Sequence, residues 1–149
     1  MVDSVPRWIF ILYLAIHGRL QTKDRVARWN EIEDLSCPLC AGQSETLEHL
    51  FFLCPVSGEI WRRVLRWQGI TRIPTTWCDE VNWAMNNAKG NSVEAHIYKM
   101  TLAAGVYLIW KERNLRHFQH KSNSISTLTA TIVQEGVAPG SWGSCPYLG

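Results

Sequence analysis

The chain has 149 residues, 46% of them hydrophobic and 19% charged, with a formal net charge of +2. That length and apolar content exclude a disordered chain and fit one globular domain with a modest core. The weak positive balance excludes any argument from bulk charge alone for a nucleic-acid partner.

The first apolar run covers residues 8–16, following Pro6 and ending before Gly18. Nine residues cannot cross a bilayer, so no membrane partner is expected. Pro6 suits a helix start and Gly18 a helix end, so the run predicts a buried helix, apolar on every side. Thr22 and Asp24 then predict a second helix over about 23–30. Val26 and Trp29 would form its apolar side, and Lys23, Arg25 and Arg28 a basic one.

Residues 37–54 carry the strongest signal in the chain. Cys37 and Cys40 stand two residues apart across a tight turn that Gly42 lets the chain leave, and His49 and Cys54 follow. Three sulfurs and one imidazole are the ligand types and number of a closed structural zinc site. Clustering of this kind argues for one Zn2+ over scattered thiols, and a Cys37–Cys40 disulfide would leave His49 and Cys54 unexplained. A set of four protein ligands holds chain segments together, whereas a catalytic zinc keeps a position for water. The two remaining cysteines, Cys78 and Cys145, read as spare thiols. Absence of an Asn-x-Ser/Thr sequon agrees with an intracellular setting, nucleus or cytoplasm.

Beyond the cysteines, Ser44 or Thr46 is expected to start a short helix with Leu47, Leu50 and Phe51 facing the core. Pro55 opens a helix to about residue 67, with Val56, Ile60, Trp61, Val64 and Trp67 at helical spacing. Arg62, Arg63 and Arg66 fall on its other side, where they serve as a solvated face or as phosphate contacts. A weaker helix is predicted over about 77–88, with Trp77, Val81, Ala84 and Met85 buried. Ser92 caps the longest predicted helix, about 93–119, whose centre at 102–110 is apolar all round. Its end carries Arg113, Arg116 and Lys121 with Phe118 interleaved, a pattern shared by nucleic-acid surfaces and by ordinary helix C-termini. The segment from Ser122 is Ser/Thr-rich, then Gly/Pro-rich, and reads as a loosely ordered C-terminal tail over 122–149. The fold class expected is therefore mainly α: a small helical domain over 5–121, built around one structural Cys3His zinc site.

These residues also carry a resemblance. Val5-Pro6-Arg7, the run from Gly18 to Thr22, Cys37-Pro38-Leu39-Cys40, Glu45-Thr46, His49-Leu50-Phe51 and Cys54 occur in one order. Ile60-Trp61 and then Ile109-Trp110 and Arg113-Asn114 follow. Over residues 5–118 this string resembles the zinc-binding domain of plant non-LTR (LINE-type) retrotransposon reverse transcriptases. The resemblance implies a helical zinc module that lies downstream of a polymerase domain, with Cys37, Cys40, His49 and Cys54 as ligands. No polymerase is expected before residue 5 and no RNase H after residue 121, and the chain contains no Asp-Asp pair to supply polymerase carboxylates. It reads as an isolated fragment or a domesticated remnant of such an element.

The function expected is thus a non-catalytic zinc module that binds RNA or another single-stranded nucleic acid, through Arg62, Arg63, Arg66, Arg113, Arg116 and Lys121. The alternative is an architectural or protein-interaction domain, whose contacts would be made by exposed members of the eight tryptophans.

Overall fold

A computed structural model describes residues 6–137. Six helices follow one another: α1 (Arg7–Ile16), α2 (Lys23–Val26), α3 (Pro55–Trp67), α4 (Trp77–Asn87), α5 (Val93–Gln119) and α6 (Ile125–Val137). Among the described residues the only β pairing is a single antiparallel bridge between Ser36 and Ser44.

The fold is centred on α5, whose 27 residues span about 40 Å at 1.5 Å per residue. Ser92 caps it, its hydroxyl accepting the Ala95 N–H at 3.1 Å. Leu102, Ala103, Ala104 and Val106 are wholly buried, as the apolar stretch predicts, and α1, α3 and α6 pack around this helix. Proline at the first position of α3 and burial of Ile60, Trp61 and Val64 agree with the helical spacing read from the sequence, whereas Trp67, expected in the same stripe, is exposed and Leu65 is buried beside it.

Several expectations are corrected. Residues 125–137, expected as part of a loosely ordered tail, form α6, which buries Leu128 and Ile132 against α3 and α5. The Ser124 hydroxyl accepts the Thr127 N–H at 3.1 Å and starts it. Ser and Thr dominate that stretch in number, but Leu128, Ile132 and Gly136 recur at four-residue steps, and burial of that stripe decides the local structure. The rest of the tail, with Cys145, lies outside the described residues.

Helix α1 is not buried on every side: Trp8, Leu12 and Ala15 face the core, while Phe10 is 54% exposed. Helix α2 stops after four residues, and the Thr22 hydroxyl bonds the Asp24 carboxylate instead of a backbone N–H. Trp29, expected on its apolar side, is exposed, and Lys23, expected in solvent, is buried with its ammonium on the Ser36 carbonyl at 2.8 Å. In α4 it is Met85 that faces solvent and Glu80 that is buried. Glu80 accepts from both Arg72 amino groups at 2.8 and 2.9 Å, Trp61 Nε1 and the Tyr98 hydroxyl at 3.1 Å, and the Thr75 N–H at 2.8 Å. With the Thr75 hydroxyl at 3.1 Å, six donors supply what water would have given a buried carboxylate. Burial pushes its pKa up, but Arg72, Thr75 and Trp61 outweigh burial and hold it below the ordinary value.

Candidate metal centre

The ligand loop begins as a short hairpin. Glu45 N–H donates to the Leu35 carbonyl and Cys37 N–H to the Gln43 carbonyl, each at 2.8 Å, and Ala41 N–H closes the turn on the Cys37 carbonyl at 2.8 Å. The left-handed residue of the turn is Ala41, at φ 56, one position before the Gly42 expected to release the chain. The Cys37–Cys40 spacing thus puts both sulfurs on one side of the turn.

His49 and Cys54 arrive from an irregular helical segment, His49–Leu53, that kinks in its middle. The Thr46 hydroxyl accepts the His49 N–H at 3.0 Å and sets its start. Phe51 has φ −100 and ψ 91, and Phe52 has φ 88, a left-handed value that a bulky side chain rarely adopts. Packing maintains it: the Phe52 ring stacks on Trp61 at 5.1 Å, Phe51 lies 5.4 Å from Trp77, and the Ser57 hydroxyl accepts the Phe52 N–H at 3.1 Å. Gly58 is required beneath this kink, because a Cβ there would stand 2.8 Å from the Phe52 carbonyl oxygen. The kink returns the chain so that Cys54 N–H reaches the His49 carbonyl at 2.6 Å.

One ligand atom from each of Cys37, Cys40, His49 and Cys54 lies within 4.8 Å of all the others. Cys40 Sγ and His49 Nε2 are 3.2 Å apart, which assigns Nε2 as the ligand nitrogen. Around a zinc with Zn–S bonds of about 2.3 Å, tetrahedral sulfurs stand about 3.8 Å apart, so the four groups need only small adjustments to enclose one ion. Cys37 and Cys54 are fully buried, His49 nearly so, and Cys40 alone is partly open. The Cys37 thiol donates toward Cys54; this bond, with burial, drives the Cys37 pKa up, and the same bond brings Cys54 down. Burial lowers that of His49, which favours the neutral ring. Zinc binds imidazole in its neutral form and cysteine as thiolate, so loading the site displaces protons from the cysteines. With all four positions supplied by protein, the site is structural in its chemistry.

Two contacts fix this loop to α5. The Arg113 guanidinium meets the Glu45 carboxylate in two bonds, Nε at 2.8 Å and Nη2 at 2.7 Å, with both side chains at 5% exposure or less. Glu45 also accepts the Lys23 N–H at 2.8 Å, and Arg113 lies 4.8 Å over the Trp110 ring. Arg116 donates to the Leu39 carbonyl, inside the cysteine turn, at 2.9 Å and to Glu112 at 2.9 Å.

Residues 2–61 match the family described as zinc-binding in reverse transcriptase. This match to a zinc-binding family contains all four ligands and ends at Trp61 inside α3. Its description and the four-ligand geometry agree on one structural zinc. No curated protein and no solved structure matches the chain.

Of the six cations singled out as nucleic-acid contacts, two are taken up by contacts within the fold. Arg113 is buried on Glu45, and Arg116 is engaged with Glu112, Leu39 and Asn123. Arg62 and Arg63 both grip Glu59, at 2.6 and 2.9 Å, and hold its carboxyl down to about 2. Arg66 and Lys121 are exposed. Glu45 was missed by sequence reasoning because its partner lies 68 positions away and a lone Glu in a turn reads as surface.

Proposed function

We propose that this chain is a non-catalytic, zinc-organised module of retrotransposon reverse-transcriptase origin that binds nucleic acid, RNA in preference to DNA. The observation that supports the reading is the outer face of α3. Arg62, Arg63 and Arg66 stand there with Glu59 as the acid between them, and the shared carboxylate holds two guanidinium planes in place. Held guanidiniums lose less freedom on meeting phosphate. A reverse transcriptase works on an RNA template, which is the reason for ranking RNA first.

The test is fluorescence anisotropy with single-stranded RNA, single-stranded DNA and duplex DNA over a salt series. Arg62→Ala with Arg66→Ala should weaken RNA binding and flatten the log–log salt slope by about 1.4, at about 0.7 per phosphate contact. Zinc content should not change. A parent protein without affinity for any of these would favour a second reading, an architectural or protein-interaction domain. That reading is favoured by the inward use of Arg113 and Arg116 and by the exposure of Trp29 and Trp67.

A further inference from the structure

A cleft of about 480 Å³ runs between α1 and the C-terminal half of α5. Four of its lining residues are aromatic: Phe10, Tyr107, Trp110 and Phe118. Phe10 and Phe118 are 54% and 69% exposed, an unusual cost for Phe side chains in a protein with this much buried aromatic surface. The charged lining residues are Arg7 and Lys111, both exposed and neither in an ion pair among the described residues. A second cleft of about 490 Å³ shares Trp110 and Phe118; its charged lining residues, Lys23 and Arg113, are already paired with Asp34 and Glu45, so it extends the ring-lined surface without adding free charge. Among the described residues no carboxylate lines either cleft.

We infer that these joined clefts form a binding track for single-stranded nucleic acid, with bases stacked on Phe10, Trp110 and Phe118 and phosphates drawn to Arg7 and Lys111. The inference rests on the nucleic-acid reading above and adds a separate contact surface to it. Rings that alternate with cations are the chemistry of strand binding without sequence preference, since every base has a face to stack. Charge selects this occupant over an apolar peptide, which would gain nothing from a rim of cations alone. The single strand is selected over a duplex because paired bases present no free faces to the rings.

The side chains to remove are exposed, so Phe10→Ala with Phe118→Ala leaves the core intact. Binding of a twelve-nucleotide oligouridylate is measured by anisotropy at two salt concentrations. Stacking is worth roughly fivefold or more per base, so the double variant should bind at least about 25-fold more weakly at both salts, with zinc retained. A 4-thiouridine form of the same strand, irradiated on the parent, should crosslink to tryptic peptides 8–19 or 117–121. A parent that binds the strand while the Phe10/Phe118 variant binds equally well, or crosslinks confined to α3, overturns the track and leaves the nucleic-acid reading standing. A parent that binds no strand, or that takes an acidic helical peptide in its place, overturns both.

Discussion

Gly58→Ala separates two opposed effects. Position 58 lies in the first turns of α3, where intrinsic helix propensity favours Ala over Gly by about 1 kcal/mol. Against that gain, the new Cβ would sit 2.8 Å from the Phe52 carbonyl oxygen and 3.7 Å from its carbonyl carbon. The obstacle is backbone, and it is pinned on both sides: by the Phe52 ring on Trp61 and by the Phe52 N–H on Ser57. Overpacking costs about 1–3 kcal/mol, and a carbonyl that cannot swing aside belongs in the upper half of that range. The net loss should be about 1–2 kcal/mol, or about 2–8 °C in Tm for a chain of this length. Zinc affinity should fall as well, because Cys54 follows Phe52 by two residues and shares its kink. Urea unfolding of the zinc-loaded protein, with a chelator competition alongside, measures both. An Ala variant that melts higher than the parent, with zinc affinity unchanged, would refute the account of the kink.

Glu45→Gln should destabilise by about 3–5 kcal/mol, because it leaves the Arg113 charge buried without its partner. Adding Arg113→Met should recover much of that loss, and a double-mutant cycle in urea that shows no coupling would contradict the role given to the Glu45–Arg113 pair. Glu80→Gln tests the second buried carboxylate. Because its folded pKa is depressed, its contribution is fully present above the unfolded value of about 4.3 and is lost as pH falls through the lower folded value. The stability difference between parent and Glu80→Gln should stay level from pH 8 to about 5 and shrink below that; a difference that grows on acidification is the contrary result. Cys78→Ser should leave metal content and stability nearly unchanged, as Cys78 is exposed and its recorded contact is a 3.4 Å one to Glu48.

The ligand set was readable because its chemistry is local: four zinc-type side chains fall within eighteen residues and need no distant partner. The bounds of α3 and α5 were readable for a similar reason, with Pro55 and Ser92 marking the starts and apolar periodicity running between. What escaped sequence reasoning was set by tertiary contacts. Arg113 carried the sign of a surface cation, and only the fold brings Glu45 to it across 68 residues. Phe52 carries no mark of a left-handed residue; the stacking on Trp61 and the space left by Gly58 impose that conformation. In α6 the Ser and Thr content concealed a stripe of Leu128 and Ile132 that has value only against α3 and α5.

One zinc, held by Cys37, Cys40, His49 and Cys54, closes the 37–54 loop, which Arg113 and Arg116 then fix to α5. Structural zinc sites contribute on the order of 10 kcal/mol, comparable with the whole stability of a domain. Elemental analysis of freshly purified protein tests this most directly. The account predicts one zinc per chain in the parent and in Cys78→Ser, and a loss of both zinc and solubility in Cys54→Ser. A parent without zinc, or a Cys54→Ser variant that keeps the full complement and stays soluble, would contradict it.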